Sequence, residues 1–183
     1  MTEIAALAQE VAVDERTLRR AIAVGALHAR RKSPRRIELT LGERAYIRRS
    51  WRLISTLRAA LRTERNVRFA LLFGSAAVGG DTLQSDVDLL IELRDASLVR
   101  VIDLKAKLAG LIGRPVDLVL LSDAKKETSF LAQAIADGRV LIDREGTWDL
   151  LRRRESTLRR EGKRADAVAA KNALAAIDRM FAA

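Results

Sequence analysis

The chain has 183 residues, 49% of them hydrophobic and 32% charged, which is enough to bury one core together with a small appended module. It contains no cysteine, so disulfides, thiolate zinc sites and cysteine nucleophiles are excluded. Its single histidine, His28, excludes clusters of histidine ligands around a metal. Carboxylates therefore remain the main candidates for catalytic chemistry.

The N-terminal residues Met1 to Ile4 lack the basic start of a signal peptide, and no apolar run is long enough to cross a bilayer. We therefore expect a cytoplasmic protein without a membrane partner. The net charge of +10 is unevenly distributed: residues 1–68 hold 16 Lys/Arg and 7 Asp/Glu, residues 69–146 hold 9 and 12, and residues 147–183 hold 9 and 5. The basic N-terminal part favours a polyanionic partner, with double-stranded DNA the first candidate.

Two short helices are predicted at the start of the chain. Residues 3–11 have apolar side chains at helical spacing, and Asp14 is placed to cap a second helix, Glu15 to Val24, which Gly25 ends. The pair resembles the helix-turn-helix of bacterial DNA-binding proteins, in which the second helix reads the major groove. The exposed face of this second helix carries Arg16, Arg19 and Arg20.

Residues 26–40 predict a small β-hairpin. Leu27 begins its first strand, residues 30–36 form a basic tip, and Ile37 to Leu39 return as the second strand. A helix-turn-helix followed by such a hairpin resembles a winged helix, so we expect residues 1–45 to form a DNA-binding module. A solvated basic surface without a ligand is the alternative. The expected phosphate contacts at the tip are Arg31, Lys32, Arg35 and Arg36.

A long helix is predicted after the hairpin. Thr40 and Glu43 have the spacing of a capping box, and apolar residues recur at three- and four-residue intervals from Ala45 to Arg62. Trp51 lies on this apolar stripe, which favours a packing role over ligand binding. We assign residues 46–65 to a connecting helix.

The most informative motif begins with an apolar run, Phe69 to Phe73, which has the length of a buried strand and ends abruptly at Gly74 and Ser75. A glycine at such a turn lets backbone N–H groups approach a phosphate closely. Asp86 and Asp88 stand at the start of the next apolar run. Because strand side chains alternate, both carboxylates are expected on the same side, where they could share a divalent metal.

Asp117 is a third candidate carboxylate. It lies within the apolar run Pro115 to Leu121, which has strand composition, and a lone charge among aliphatic residues is expensive without a partner. We expect this strand beside the one that carries Asp88. The layout is that of a two-metal phosphoryl-transfer site, in which Asp117 would hold the activating metal or take the acceptor's proton.

These residues resemble the nucleotidyltransferase superfamily that includes DNA polymerase beta, and within it the small minimal nucleotidyltransferases. The resemblance extends from Asn66 to Arg144. It implies an α/β fold, a mixed sheet with packed helices, over residues 66–146, with Mg²⁺ as the metal and a nucleoside triphosphate as the substrate, ATP being the first candidate. The matching motif residues are Gly74, Ser75, Ala77, Gly79, Asp86, Asp88 and Asp117.

The remaining elements are predicted to be helical except for one strand. A helix over Ser97 to Ile112 should bury Val101, Leu104, Leu108 and Leu111, and a helix over Phe130 to Ala136 should end at Gly138 before a strand at residues 140–142. Residues 147–183 form a helical C-terminal extension with a break near Gly162. Its apolar stripe would pack on the body or on a second subunit of a homodimer, and consists of Ala170, Leu174, Ile177 and Phe181.

The leading hypothesis is an enzyme that moves a nucleoside monophosphate from a triphosphate to a hydroxyl acceptor. The resemblance implies a separate toxin protein as one acceptor, because minimal nucleotidyltransferases often act as antitoxins of such a toxin. The alternative is a DNA-binding regulator with a non-catalytic nucleotidyltransferase fold. It is favoured by Ala76 and Val78, which stand where relatives commonly carry a polar or basic residue and an arginine. An antibiotic-modifying nucleotidyltransferase ranks last, since it leaves the basic N-terminal module unexplained.

Overall fold

The computed structural model describes residues 2–33 and 36–181. Helices occupy α1 (Glu3–Glu10), α2 (Glu15–Ala23), α3 (Leu41–Thr63), α4 (Gly74–Val78), α5 (Leu98–Ile112), α6 (Leu121–Ala124), α7 (Thr128–Asp137) and α8 (Thr147–Phe181). Strands occupy β1 (Arg30–Ser33), β2 (Arg36–Glu38), β3 (Val67–Phe73), β4 (Val87–Leu93), β5 (Val116–Leu120) and β6 (Arg139–Asp143). No helix within the described residues combines the length and the apolar composition needed to cross a membrane.

The main sheet has four strands in the order β5-β4-β3-β6. β3 pairs antiparallel with both β4 and β6, whereas β4 and β5 run parallel. The fold is therefore the mixed α/β sheet with packed helices that the resemblance implied. The predicted placement of the Asp117 strand beside the Asp88 strand is confirmed by this strand order.

The two faces of the sheet are covered by different helices. Ala70 and Leu72 of β3 point to a core formed with α3, α5 and the N-terminal helices. Phe69 and Leu71 point to a second core formed with α6, α7 and α8. Because strand side chains alternate, a continuous apolar run such as β3 is the composition expected for a strand buried on both faces.

The N-terminal helices share one core with the sheet. Ile4, Leu7 and Leu18 are buried in the same apolar cluster as residues of α3 and β3. α3 begins inside the range assigned to the N-terminal module, and the Thr40 side chain accepts a hydrogen bond of 3.1 Å from the Glu43 backbone N–H. The predicted cap is thus present, and Trp51 is buried, as its place on the apolar stripe predicted.

The predicted hairpin is present, but its first strand begins later than expected. Leu27 is buried in the core of the module, and cross-strand pairing starts with Arg30 opposite Glu38. Leu27 therefore packs in the core and takes no part in the strand pairing. Arg30, Arg31 and Lys32, which were expected in the tip, lie in the first strand. Pro34 and Arg35 lie outside the described residues.

Two further predictions were wrong. α8 runs without a break, because Gly162 faces the Ser129 backbone of α7 and the missing side chain lets the two helices approach. Leu111 is 53% exposed, since α5 packs through Leu104 and Leu108, and the next position on that stripe, four residues on, is Ile112. In the predicted C-terminal stripe, Ala170 is exposed, and the side chains of Leu174, Ile177 and Phe181 lie outside the described part of the chain.

Candidate active site

The turn between β3 and α4 lies directly against a carboxylate. Gly74 follows Phe73 with a φ of 69°, in the left-handed region that favours glycine. A Cβ atom at this position would collide with the carboxylate of Asp88. Phe73 and Asp88 are also paired across β3 and β4. The predicted Gly-Ser turn is therefore the start of a short helix, which packs against Asp88 at the start of β4.

Asp88 and Asp117 are neighbours across the parallel pair of strands. They are in register between β4 and β5, and each precedes by two residues an apolar side chain of the same core, Leu90 and Val119. Because the side chains of a strand alternate, both carboxylates belong to the sheet face covered by α7. Asp86 lies two residues before Asp88 and is exposed to solvent.

Among the residues that the structure describes, no cation forms an ion pair with Asp88. Partial burial raises the pKa of its carboxyl above the usual value, and the negative charges of Asp117 and Asp86 raise it further. Asp117 itself accepts a hydrogen bond of 2.8 Å from the Lys105 ammonium, in a pair that is half exposed. Asp117 and Asp86 therefore both act electrostatically on Asp88 at the start of β4.

In the part of the chain that the structure describes, no three Asp, Glu, His or Cys side chains form a group that could hold a metal ion by themselves. Mg²⁺ needs fewer protein ligands, because it keeps water molecules and takes substrate phosphates as ligands. The candidate metal ligands at the start of β4 are carboxylate oxygens, the ligand type that Mg²⁺ prefers. The negative charges that raise the pKa of Asp88 are what a cation would neutralise, so the residues fit the metal, although its presence stays a prediction.

A cavity of about 390 Å³ opens beside the Gly74 turn. The rings of Phe73 and Phe130 meet in its wall edge to face, with centroids 5.3 Å apart. A volume of this size falls in the range of sites for small molecules. The cavity adjoins the two residues that were predicted to bind the nucleotide. Its lining consists of Phe73, Gly74, Ser75, Val78, Phe130, Gln133, Ala134 and Asp137.

The loop that leads to Asp86 is held by an arginine that sequence analysis missed. The Arg114 guanidinium donates to the Asp81 carboxylate at 2.7 Å and to the Ser85 carbonyl at 2.7 and 3.1 Å. Arg114 and Asp81 are both nearly buried. No local pattern marks this pair, since its members are 33 residues apart. It fixes the chain immediately before the first candidate metal ligand.

The residues predicted to bind DNA lie on α2 and on the hairpin. Arg16 and Arg20 are exposed on α2, whereas Arg19 donates to the Glu15 carboxylate at 2.7 Å. Lys32 forms an ion pair of 2.9 Å with Glu38. Arg35 lies outside the described residues, and so do the side chains of Arg31 and Arg36.

Known structures share this fold. A chain from the crystal structure of a toxin–antitoxin complex with AMP-PNP superposes with a TM-score of 0.55 and 21% identity, covering 66% of this chain and 98% of that one. A chain from the complex of a tri-AMPylated Shewanella oneidensis HEPN toxin with an MNT antitoxin gives a TM-score of 0.50 and 17% identity, covering 66% and 98%. About a third of this chain therefore has no counterpart in either.

No curated protein sequence matches the chain. The family model described as polymerase beta, nucleotidyltransferase matches residues 55–147, which include the Gly74 turn and all three candidate carboxylates. The match covers just over half of the chain. The chain therefore belongs to the polymerase beta nucleotidyltransferase family.

Proposed function

We propose that this nucleotidyltransferase moves a nucleoside monophosphate from a nucleoside triphosphate, ATP being the first candidate, to a hydroxyl group of another protein. The observation that carries the proposal is the contact of Gly74 with Asp88, which has Asp117 in register beside it. A backbone turn suited to phosphate and a pair of adjacent carboxylates are the two parts that phosphoryl transfer requires. We assign nucleotide binding to Gly74 and Ser75.

In the proposed reaction the acceptor oxygen attacks the α-phosphorus of the triphosphate. The bond between the α-phosphorus and the bridging oxygen breaks, and pyrophosphate leaves with the electron pair. Asp117 accepts the hydroxyl proton, a role that its position on the exposed edge strand β5 allows. Bound Mg²⁺ would be held by Asp86 and Asp88, and would supply charge neutralisation at the phosphate oxygens.

We propose a separate toxin protein as the acceptor. Two structural relatives come from toxin–antitoxin complexes, one with AMP-PNP and one whose toxin carries AMP groups. The candidate site also suits a large acceptor, because Asp86 and Asp117 are exposed rather than enclosed. A protein surface can therefore approach the carboxylates directly.

The experiment is transfer of label from ATP that is radioactive at the α-phosphorus, in the presence of Mg²⁺ and cell extract. The parent should label a discrete protein, and Asp88→Asn should not. Asp103→Asn is the matched control, because Asp103 is an exposed carboxylate on α5, outside the candidate site, and its replacement makes the same change of charge. Equal labelling by the parent and Asp88→Asn would reject the proposal.

We also propose that the N-terminal module associates with double-stranded DNA. Arg16 and Arg20 present two positive charges from one helix, and residues 1–68, which include the module, carry nine more positive than negative side chains. Such a surface favours phosphate contacts whose strength falls as salt is added. If replacing the carboxylates had no effect on nucleotide transfer, DNA binding by this module would favour the alternative function, a DNA-binding regulator with a non-catalytic fold. Failure of the parent to bind any duplex at low salt would reject the DNA proposal.

A further inference from the structure

The C-terminal end of α4 is held by side chains from outside the Gly74 turn. The last carbonyls of a helix lack partners within the helix and carry its negative dipole end. Tyr46 donates its hydroxyl to the Ala76 carbonyl at 2.9 Å, and Arg139 donates to the Ala77 carbonyl at 2.5 Å. Arg49 donates to the Gly79 carbonyl at 2.6 Å. Three carbonyls at this end of the turn are therefore satisfied by α3 and β6.

Arg139 is the centre of this arrangement. Its guanidinium makes two parallel hydrogen bonds, of 2.6 and 2.9 Å, to the Glu43 carboxylate, and both side chains are about 95% buried. It also stacks over the Tyr46 ring, with its central carbon 3.4 Å from the ring centroid. A planar guanidinium held on three sides in this way has one orientation available to it. Its Nε–H therefore fixes the position of the Ala77 carbonyl.

The same cluster joins α4 to the N-terminal module. Glu43 also accepts a hydrogen bond of 2.9 Å from the His28 backbone N–H, and the His28 ring contacts the Gly138 carbonyl at 3.1 Å. Glu43 and Tyr46 precede the residues matched by the family model, which begins at 55. This chain thus supports a family motif with side chains from outside the matched region.

We propose that Arg139, Glu43 and Tyr46 are positioning residues that set the orientation of α4, and with it the Gly74 and Ser75 groups that face the nucleotide. The inference rests on the proposed function only for the identity of that ligand. α4 has five residues and a single turn, so its ends cannot move independently. Loosening the carbonyls of Ala76 and Ala77 would therefore disturb the amides at its start.

The test uses the full chain and three conservative variants. Tyr46→Phe removes one hydroxyl and keeps the ring beneath Arg139, so it should fold. Arg139→Lys keeps the charge and removes the paired hydrogen bonds. Arg144→Lys is the matched control, because Arg144 follows the same strand and donates to backbone carbonyls near the end of α3, but has no contact with α4 among those of the described residues.

Two measurements are made on each variant: amide hydrogen exchange over residues 74–80, and the affinity for AMP-PNP with Mg²⁺. In Tyr46→Phe and Arg139→Lys we expect faster exchange in this segment and about tenfold weaker nucleotide binding, since a buried carbonyl loses its donor. Arg144→Lys should match the parent in both. A purely structural role would lower the melting temperature without a change confined to this segment.

The outcomes separate this inference from the function on which it rests. Unchanged exchange over residues 74–80 in both variants would overturn the positioning role, and so would faster exchange with unchanged nucleotide affinity. If the parent binds no nucleotide, the proposed function fails. In that event the exchange comparison by itself decides whether the cluster holds α4 in place.

Discussion

At Gly74 the backbone conformation and the neighbouring carboxylate both exclude a side chain. Gly113 has nearly the same φ, 67°, but apart from its chain neighbours no described atom lies within 4 Å of the place where its Cβ would stand. Comparing substitutions at the two glycines therefore distinguishes the cost of the backbone conformation from the cost of the steric contact with Asp88. The left-handed conformation alone disfavours alanine by about 1–2 kcal/mol.

We predict that Gly74→Ala destabilises the fold more than Gly113→Ala, because the new methyl group at residue 74 would displace the Asp88 carboxylate. For the same reason Gly74→Ala should abolish nucleotide binding, whereas Gly113→Ala should not. Urea unfolding and calorimetric titration with AMP-PNP measure the two effects. Nucleotide binding by Gly74→Ala at parental affinity would show that the turn does not contact the ligand.

His28 makes stability depend on pH. Burial lowers the pKa of its ring below the usual 6.5, and the charge of Arg139 lowers it further, against smaller opposite effects of Gly138, Glu43 and Asp137. The unfolded chain therefore takes up a proton at higher pH than the native chain does. As pH falls through 6.5, this difference lowers the free energy of unfolding, and the loss levels off below the native pKa.

We predict that part of the decrease in the urea midpoint between pH 8 and pH 5.5 disappears in His28→Gln, whose amide can still donate to the Gly138 carbonyl. Comparing the midpoints of the parent and the variant at both pH values checks this. An identical pH dependence in the two proteins would mean that His28 titrates alike in the native and unfolded chains.

At the scale of elements, the contact between α7 and α8 depends on a glycine in the middle of a long helix. A Cβ at Gly162 would lie 2.7 Å from the Ser129 Cα atom, which is too close for any side chain. Gly110 lies inside α5, and apart from the backbone of that helix and its chain neighbours no described atom lies within 4 Å of the same position. Alanine is the better helix former at both sites by roughly 0.5–1 kcal/mol.

We predict that Gly110→Ala raises the free energy of unfolding by roughly 0.5–1 kcal/mol. Gly162→Ala should lower it, because overpacking costs about 1–3 kcal/mol and exceeds the gain in helix propensity. Chemical denaturation of both variants measures this. Stabilisation by Gly162→Ala would mean that α7 and α8 do not meet at this glycine in solution.

Most elements could be predicted because their signals are local. The apolar runs of β3, β4 and β5, the cap at Thr40 and the stop at Gly138 each depend on a few consecutive residues. The error at Gly162 has the opposite origin. A glycine inside a helical pattern normally indicates a place where the helix ends or bends. At Gly162 the glycine instead allows α7 to pack closely against a continuous α8.

The supporting groups of the candidate site could not be predicted for the same reason. Arg139 and Glu43 are 96 residues apart, and Arg114 and Asp81 are 33 apart, so neither pair leaves a periodic signal. One hint was available: Arg139 is a charged residue beside an apolar strand, and a charge buried there requires a partner. The same argument singles out Asp117, whose side chain is exposed in the structure and is paired with Lys105.

At the scale of the whole molecule, charge separates the acidic segment that carries the candidate site from the basic N-terminal part. We predict that replacing Arg16 and Arg20 with alanine weakens duplex binding and lowers its salt dependence by roughly 0.9 in log–log slope for each phosphate that the protein no longer neutralises. Replacing Lys125 and Lys126, which removes the same charge from the acidic segment, should change neither. Electrophoretic shifts across a salt series compare the two, and equal effects would show that only net charge matters.

We propose that the Gly74 turn and the carboxylates of Asp86, Asp88 and Asp117 form one site for a nucleotide and its metal. The most direct test is a crystal structure with AMP-PNP and Mn²⁺, whose anomalous scattering locates the metal. We expect the triphosphate to lie against Gly74 and Ser75, and the anomalous peak to mark a metal ion bound to Asp86 and Asp88. A nucleotide bound at full occupancy elsewhere would show that the Gly74 turn is not the nucleotide site. A nucleotide at the turn with its metal away from both Asp86 and Asp88 would show that these carboxylates do not hold the metal.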